Sequence, residues 1–237
     1  MSLNEGAIKR IEELAHPTVR DADGTAYWRS NHQLVRPAID HPTALEVSTL
    51  AALRDIVLNE HKTQTDLVLH VVDSDHVRLM STCGELFERH VYANAHYTQD
   101  CFSFGVWHPL DVFLIRLATQ FEDTPDRAAI TKLLSHVSDK EEVQFTDDGL
   151  AQTVSVTKGV SLKERDKLPV YPALIPMRTF PEIEQISSRF LLRYDRKNES
   201  PVVSLHEADG GAWRLDAIRR IADHMRGWKL EGVAIYA

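Results

Sequence analysis

Arg178, Glu182, Glu184 and Gln185 crowd one short stretch of the chain, framed by Pro176 and Pro181. Proline fixes φ and removes an amide donor, and it biases the residue before it away from helix, so this stretch reads as extended. In a strand Glu182 and Glu184 fall on one face. Two carboxylates side by side suit a shared cation or a basic partner. They also suit acid–base catalysis when their pKa values are driven apart, although neither a neighbouring nucleophile nor a third acid at a recognisable spacing accompanies them. The plainer expectation is a surface strand in which Glu182 or Glu184 pairs with Arg178 or Arg189.

A second stretch, Glu207-Ala208-Asp209-Gly210-Gly211-Ala212-Trp213, contains the chain's only pair of adjacent glycines. It precedes a helical pattern, and the first amides of a helix are a natural anion site. A structural turn is the simpler reading: two glycines let the chain reverse after a strand, Asp209 or Gly210 caps the helix, and Trp213 packs it against a sheet. The partner- or ligand-binding candidates are thus Arg178, Glu182, Glu184, Gln185, Glu207, Asp209, Gly210, Gly211 and Trp213. No catalytic residue, metal ligand or cofactor is assigned.

Other chemistries find little support. The twelve histidines contain no HExxH or HxH pattern, and His61, His70, His76, His90 and His96 sit on different expected elements. A zinc site assembled by the fold stays open as an alternative. Glycine-loop nucleotide motifs and the GxSxG nucleophile elbow are absent from the sequence. Cys83 and Cys101 are the only cysteines, and they read as reduced thiols of a cytosolic protein.

A formal charge of −8 and a pI near 5.8 disfavour broad phosphate-backbone binding, which depends on Lys and Arg displacing counterions. No secretory signal is visible in residues 1–15. The apolar stretch 105–118 is interrupted by His108, Asp111 and Arg116 and is too short to span a bilayer. These features place the protein in the cytoplasm.

Several elements must position the candidates. Helices are expected over Asn4–Ala15, after Ser48 (burying Leu50, Leu53, Ile56 and Val57), and from His108-Pro109 onward. In the last of these, Leu110, Phe113, Leu114, Leu117 and Phe121 form one stripe. Thr124-Pro125-Asp126 opens another helix, with Ala129, Ile130, Leu133, Leu134 and Val137 inward. Hairpins are expected around residues 73–75, 146–149 and 195–201, with a strand over Phe87–Ala95 and short strands at Tyr27-Trp28 and Leu34-Val35. A helix over Ala212–Arg226, with Leu215, Ile218, Ile221, Ala222 and Met225 inward, precedes a strand over Gly232–Tyr236. Lys163–Lys167 reads as a charged loop. The class is α+β, with antiparallel hairpins forming mixed sheets packed with amphipathic helices. A soft boundary near Ser138–Glu141 divides an N-terminal α+β region, 1–138, from a β-rich region with one helix, 139–237, within what can be one continuous domain.

Met177-Arg178-Thr179-Phe180-Pro181-Glu182-Ile183-Glu184-Gln185 and Glu207–Trp213 resemble signature stretches of a phage and prophage family, the YfdQ-like proteins. The turn Asp147-Asp148-Gly149 and Val154-Ser155-Val156-Thr157 look similar too, whereas Cys101–His108 departs from the pattern. The resemblance implies a phage-encoded protein of the host cell cytoplasm and carries no catalytic residues. The expected function is a non-enzymatic accessory protein that binds a host or phage macromolecule, for example to inhibit a host function. One alternative is a metal-dependent hydrolase or small-ligand-binding enzyme. Another is an accessory factor in phage DNA metabolism, using Arg189, Arg193, Arg196 and Lys197. The expected partner is a host or phage protein rather than nucleic acid or membrane, and homo-oligomerisation is expected without a residue that requires it.

Overall fold

A computed structural model of the chain describes residues 5–15, 18–20, 26–30, 33–35, 43–61, 66–84, 88–98, 100–137, 142–147, 152–157, 171–197 and 200–237. The charged run Lys163–Lys167 lies outside them. The chain divides into two units, Met1–Thr43 and Ala44–Ala237.

The first unit holds helix α1 (Glu5–Ala15) and strands β1 (Thr18–Arg20), β2 (Ala26–Ser30) and β3 (Gln33–Val35). The three strands form an antiparallel sheet in which Trp28 pairs with Thr18 on one side and Val35 on the other. On α1, Ile8 and Ile11 are exposed.

The second unit runs β4 (Leu45–Val47), α2 (Leu50–Glu60), β5 (Leu67–Asp73), β6 (His76–Ser81), β7 (Val91–His96), β8 (His108–Pro109), α3 (Leu110–Thr119) and α4 (Pro125–Val137). It continues with β9 (Glu142–Asp147), β10 (Gln152–Thr157), β11 (Ala173–Leu174), β12 (Ser188–Lys197), β13 (Ser200–Glu207), α5 (Ala212–Arg226) and β14 (Val233–Tyr236). One sheet has five strands in the order β14-β5-β6-β7-β4. Its centre is antiparallel, while β14 joins β5 and β4 joins β7 in parallel. The last strand therefore completes the chain's own sheet. A second, antiparallel sheet runs β11-β12-β13-β8, and β9 and β10 form a hairpin. Strands from both sides of residue 138 share the second sheet, because β8 pairs with β13. The fold is α+β.

Local chemistry sets the helix ends. The Thr49 hydroxyl accepts a bond from the Ala52 amide at 3.2 Å and caps α2. The Thr124 hydroxyl accepts from the Arg127 amide at 3.1 Å at the start of α4. Helices α2 and α5 pack on one face of the five-stranded sheet, where Leu50, Leu53, Val57, Ile221, Ala222 and Met225 meet Leu67, Leu69, Val77, Leu79, Ala93 and Ala95. A second core joins Phe102, Phe113, Phe121 and Phe190 to the inner residues of α3, α4, β12 and β13. Phe121 contributes from an isolated bridge to Pro176 just beyond α3, not from the helix itself.

Two expectations on helix faces fail. Leu215 is 61% exposed, because α5 turns Trp213, Ala217 and Ile221 inward and a residue two places after Trp213 points the other way. Ala129 on α4 is likewise exposed beside buried Ile130, Leu133 and Leu134.

Candidate functional site

The stretch 178–185 is a loop folded around one side-chain amide, not a strand. The Gln185 amide group donates to the carbonyls of Thr179, Phe180 and Ile183 at 3.3, 3.2 and 3.1 Å. Its oxygen accepts from the backbone amides of Arg178 and Thr179 at 3.0 and 3.4 Å. The Ile183 amide closes a turn on the Phe180 carbonyl at 3.0 Å. Proline at 181 has no amide to lose and presets its own φ, so a compact turn replaces the extended run. Thr179 donates its hydroxyl to the Ser74 carbonyl at 2.6 Å, tying the loop to the β5–β6 turn, while Phe180 is fully buried in the first core.

Arg178 joins the stretch 177–185 to the stretch 207–213. Only 6% exposed, its guanidinium donates to the Glu207 carboxylate at 2.8 Å and to the Ser188 hydroxyl. It lies 3.7 Å from the centre of the Trp213 ring, with Phe190 and Phe104 at 5.9 and 6.0 Å. A desolvated cation over an aromatic face gains about 2 kcal/mol. Burial pushes the Arg178 pKa down to about 10, against the pull of Glu207 and Asp209, so the group stays charged at neutral pH.

Ser188 also hydrogen-bonds Asp209 and thereby bridges cation and carboxylate. Burial alone would raise the Asp209 pKa. The bonds from Ser188 and the Gly211 amide, with Arg178 nearby, outweigh it and hold the carboxyl below its usual value. Gly210 and Gly211 adopt φ of +65° and +80°, a conformation that costs other residues roughly 1–2 kcal/mol. Gly211, rather than Asp209 or Gly210, is the N-cap of α5. Asp209 instead accepts the Gly211 amide at 3.0 Å within the turn.

Glu182 and Glu184 turn away from Arg178. Glu182 accepts the Ala51 amide at 3.2 Å in the first turn of α2, and its other oxygen is buried with no hydrogen-bond partner among the described residues. Glu184 pairs at 2.8 Å with Arg220 of α5, rather than with Arg178 or Arg189. Together Glu182, Ile183, Glu184, Arg220, Asp223 and His224 line an open pocket of about 260 Å³. Of the nine candidates, Arg178, Glu207, Asp209 and Trp213 meet in one node around the buried guanidinium, Gln185 holds the loop that carries Arg178, Gly210 and Gly211 form the adjoining turn, and the two glutamates line the pocket.

Sequence reasoning missed Ser188, Arg220, Asp223 and His224. The last three fall at helical spacing on one face of α5, the one signal that marked them. Of the four positively charged candidates for nucleic acid, the side chain of Lys197 lies outside the described residues, and the three arginines do not form a single stripe. Arg189 and Arg193 alternate with buried positions on β12 and share their face with Asp195, whereas Arg196 bonds the Tyr194 hydroxyl. Among the described residues no group of three His, Cys, Asp or Glu side chains is placed to hold a metal ion. Cys83 is exposed, while burial and then Asp75 and Asp100 push the half-buried Cys101 thiol up, keeping it protonated.

No helix among the described residues is long and apolar enough to cross a membrane. No family model, curated protein or solved structure matches the chain.

Proposed function

We propose that the chain is a phage-encoded accessory protein that binds a host or phage macromolecule in the host cytoplasm and performs no reaction itself. The open pocket between the 181–184 turn and α5 carries this reading. Its lining presents the carboxylates of Glu182, Glu184 and Asp223, the last two well exposed, and these call for a cation. A lysine or arginine side chain of a protein partner meets those demands. The overall charge of −8 speeds encounter with a basic surface. The likeness of residues 177–185 and 207–213 to phage signature stretches supplies the phage assignment, and the first of those stretches is the one that lines the pocket.

Affinity capture from host lysate, with the wild type beside the double variant Glu182→Gln/Glu184→Gln, tests the reading. Glutamine still accepts the Ala51 amide, so α2 keeps its first-turn contact. A protein held by the wild type, released by salt and lost from the variant is the expected outcome. Equal retention by both chains would remove the pocket from the interaction. An empty wild-type eluate would remove the macromolecule-binding reading.

A further inference from the structure

The face of the five-stranded sheet opposite α2 and α5 carries a histidine pair. Val77, Leu79, Ala93 and Ala95 are fully buried beneath the helices, so His76 and His96, one residue out of phase with them, point to the other face. His76 and His96 are direct cross-strand partners on β6 and β7. The Tyr97 amide donates to the Asp75 carbonyl at 2.9 Å, which places the pair at a non-hydrogen-bonded position of the ladder. Such positions bring opposite side chains closest, with Cα atoms about 4.5 Å apart.

The two ring centroids are 5.5 Å apart, tilted by 44°. Two imidazole nitrogens each about 2.0–2.1 Å from one ion, at near-tetrahedral angles, put their ring centroids roughly 5–5.5 Å apart. The spacing therefore already matches a shared ligand. Among the described residues neither ring takes part in a hydrogen bond or ion pair, and His96 is exposed.

We propose that His76 and His96 chelate one borderline divalent transition-metal ion of the zinc type. No third His, Cys, Asp or Glu completes a ligand set among the described residues, so the remaining positions go to water and the site is weaker than a closed structural one. Imidazole donors select copper, nickel and zinc over calcium and magnesium, with copper bound most tightly. The site lies on the opposite face of the sheet from α5 and its acidic pocket, so it stands or falls independently of the docking role.

Isothermal titration of the untagged full chain with Zn²⁺, Ni²⁺ and Cu²⁺, and with Mg²⁺ as control, tests it. One saturable ion per chain is expected, Cu²⁺ tightest and Mg²⁺ silent. His76→Ala and His96→Ala are each expected to weaken binding at least about tenfold, with unchanged circular dichroism. Cys83→Ser, which removes the exposed thiol, is expected to bind as the wild type does. Binding that survives both histidine variants, that disappears with Cys83→Ser, or that never saturates at one ion would overturn the assignment.

Discussion

The two cores of the unit from Ala44 to Ala237 are filled in different ways. The first is aliphatic and small where it meets the sheet, with Ala93, Ala95 and Ala222 fully buried between helix and strand. The second is built on phenylalanines: Phe102 meets Phe113 and Phe121 edge-on at 5.8 and 5.2 Å, and Phe104 stacks on Phe190 at 5.2 Å. Regular helices lying on a regular sheet approach closely, and small residues permit it. The second core also draws on irregular segments around Phe102, Phe104 and Phe121, where large rings fill uneven space and gain edge-to-face attraction. The two cores are thus expected to break in opposite directions, one by enlargement and one by truncation.

The largest effect is expected from Phe190→Ala, which removes a fully buried ring from the second core and from beneath Arg178. The loss is about 3–5 kcal/mol in urea denaturation, and a loss under 1 kcal/mol would mean that the rings are not closely packed. Ala95→Leu overfills the first core and is expected to cost about 1–3 kcal/mol. If it were neutral, the first core would have room to spare at the sheet, and the contrast between a core of small residues and one of large rings would collapse. Gly211→Ala, at the junction of the buried node and α5, is expected to cost roughly 1–2 kcal/mol through its left-handed φ, read as a lower denaturation midpoint with an unchanged slope.

The smallest effect concerns pH. The folded-state pKa of Asp209 lies below its ordinary value, so its contribution to stability is present above about pH 4 and fades as pH falls further. Asp209→Asn is expected to remove that part of the acid sensitivity. Superimposable acid limbs in the two proteins would show that the carboxylate is not held by the node.

The contrast also explains what was legible beforehand. Helices α2 to α5 and the β5–β6, β9–β10 and β12–β13 hairpins follow from spacing and turn residues, because each signal is local. The two-residue strands His108–Pro109 and Ala173–Leu174 are too short to show any alternation, so the second sheet's edges were invisible. The candidate site was legible as residues and illegible as partners. Arg178 and Glu207 were both singled out, yet nothing local joins them. Glu182 finds its partner at Ala51, and Glu184 finds Arg220, through contacts that only the fold creates. Residues 178–185 do not extend despite their prolines, because Gln185 makes five hydrogen bonds within the loop.

The strand order of the five-stranded sheet has a kinetic consequence. Its first four strands in sequence end at His96, and α5 with β14 arrives only from Ala212 onward, so the whole phenylalanine core is spliced into the middle of the other layer. Most contacts of the spliced segment lie within it, whereas β14 must find β5 across the entire insertion. Distant pairings are slow because the loop between them must close first. A segment that has already collapsed shortens the search for the two ends it separates. The phenylalanine core is therefore expected to act as the clasp, gaining amide protection early in refolding, with the β14–β5 seam the last to close.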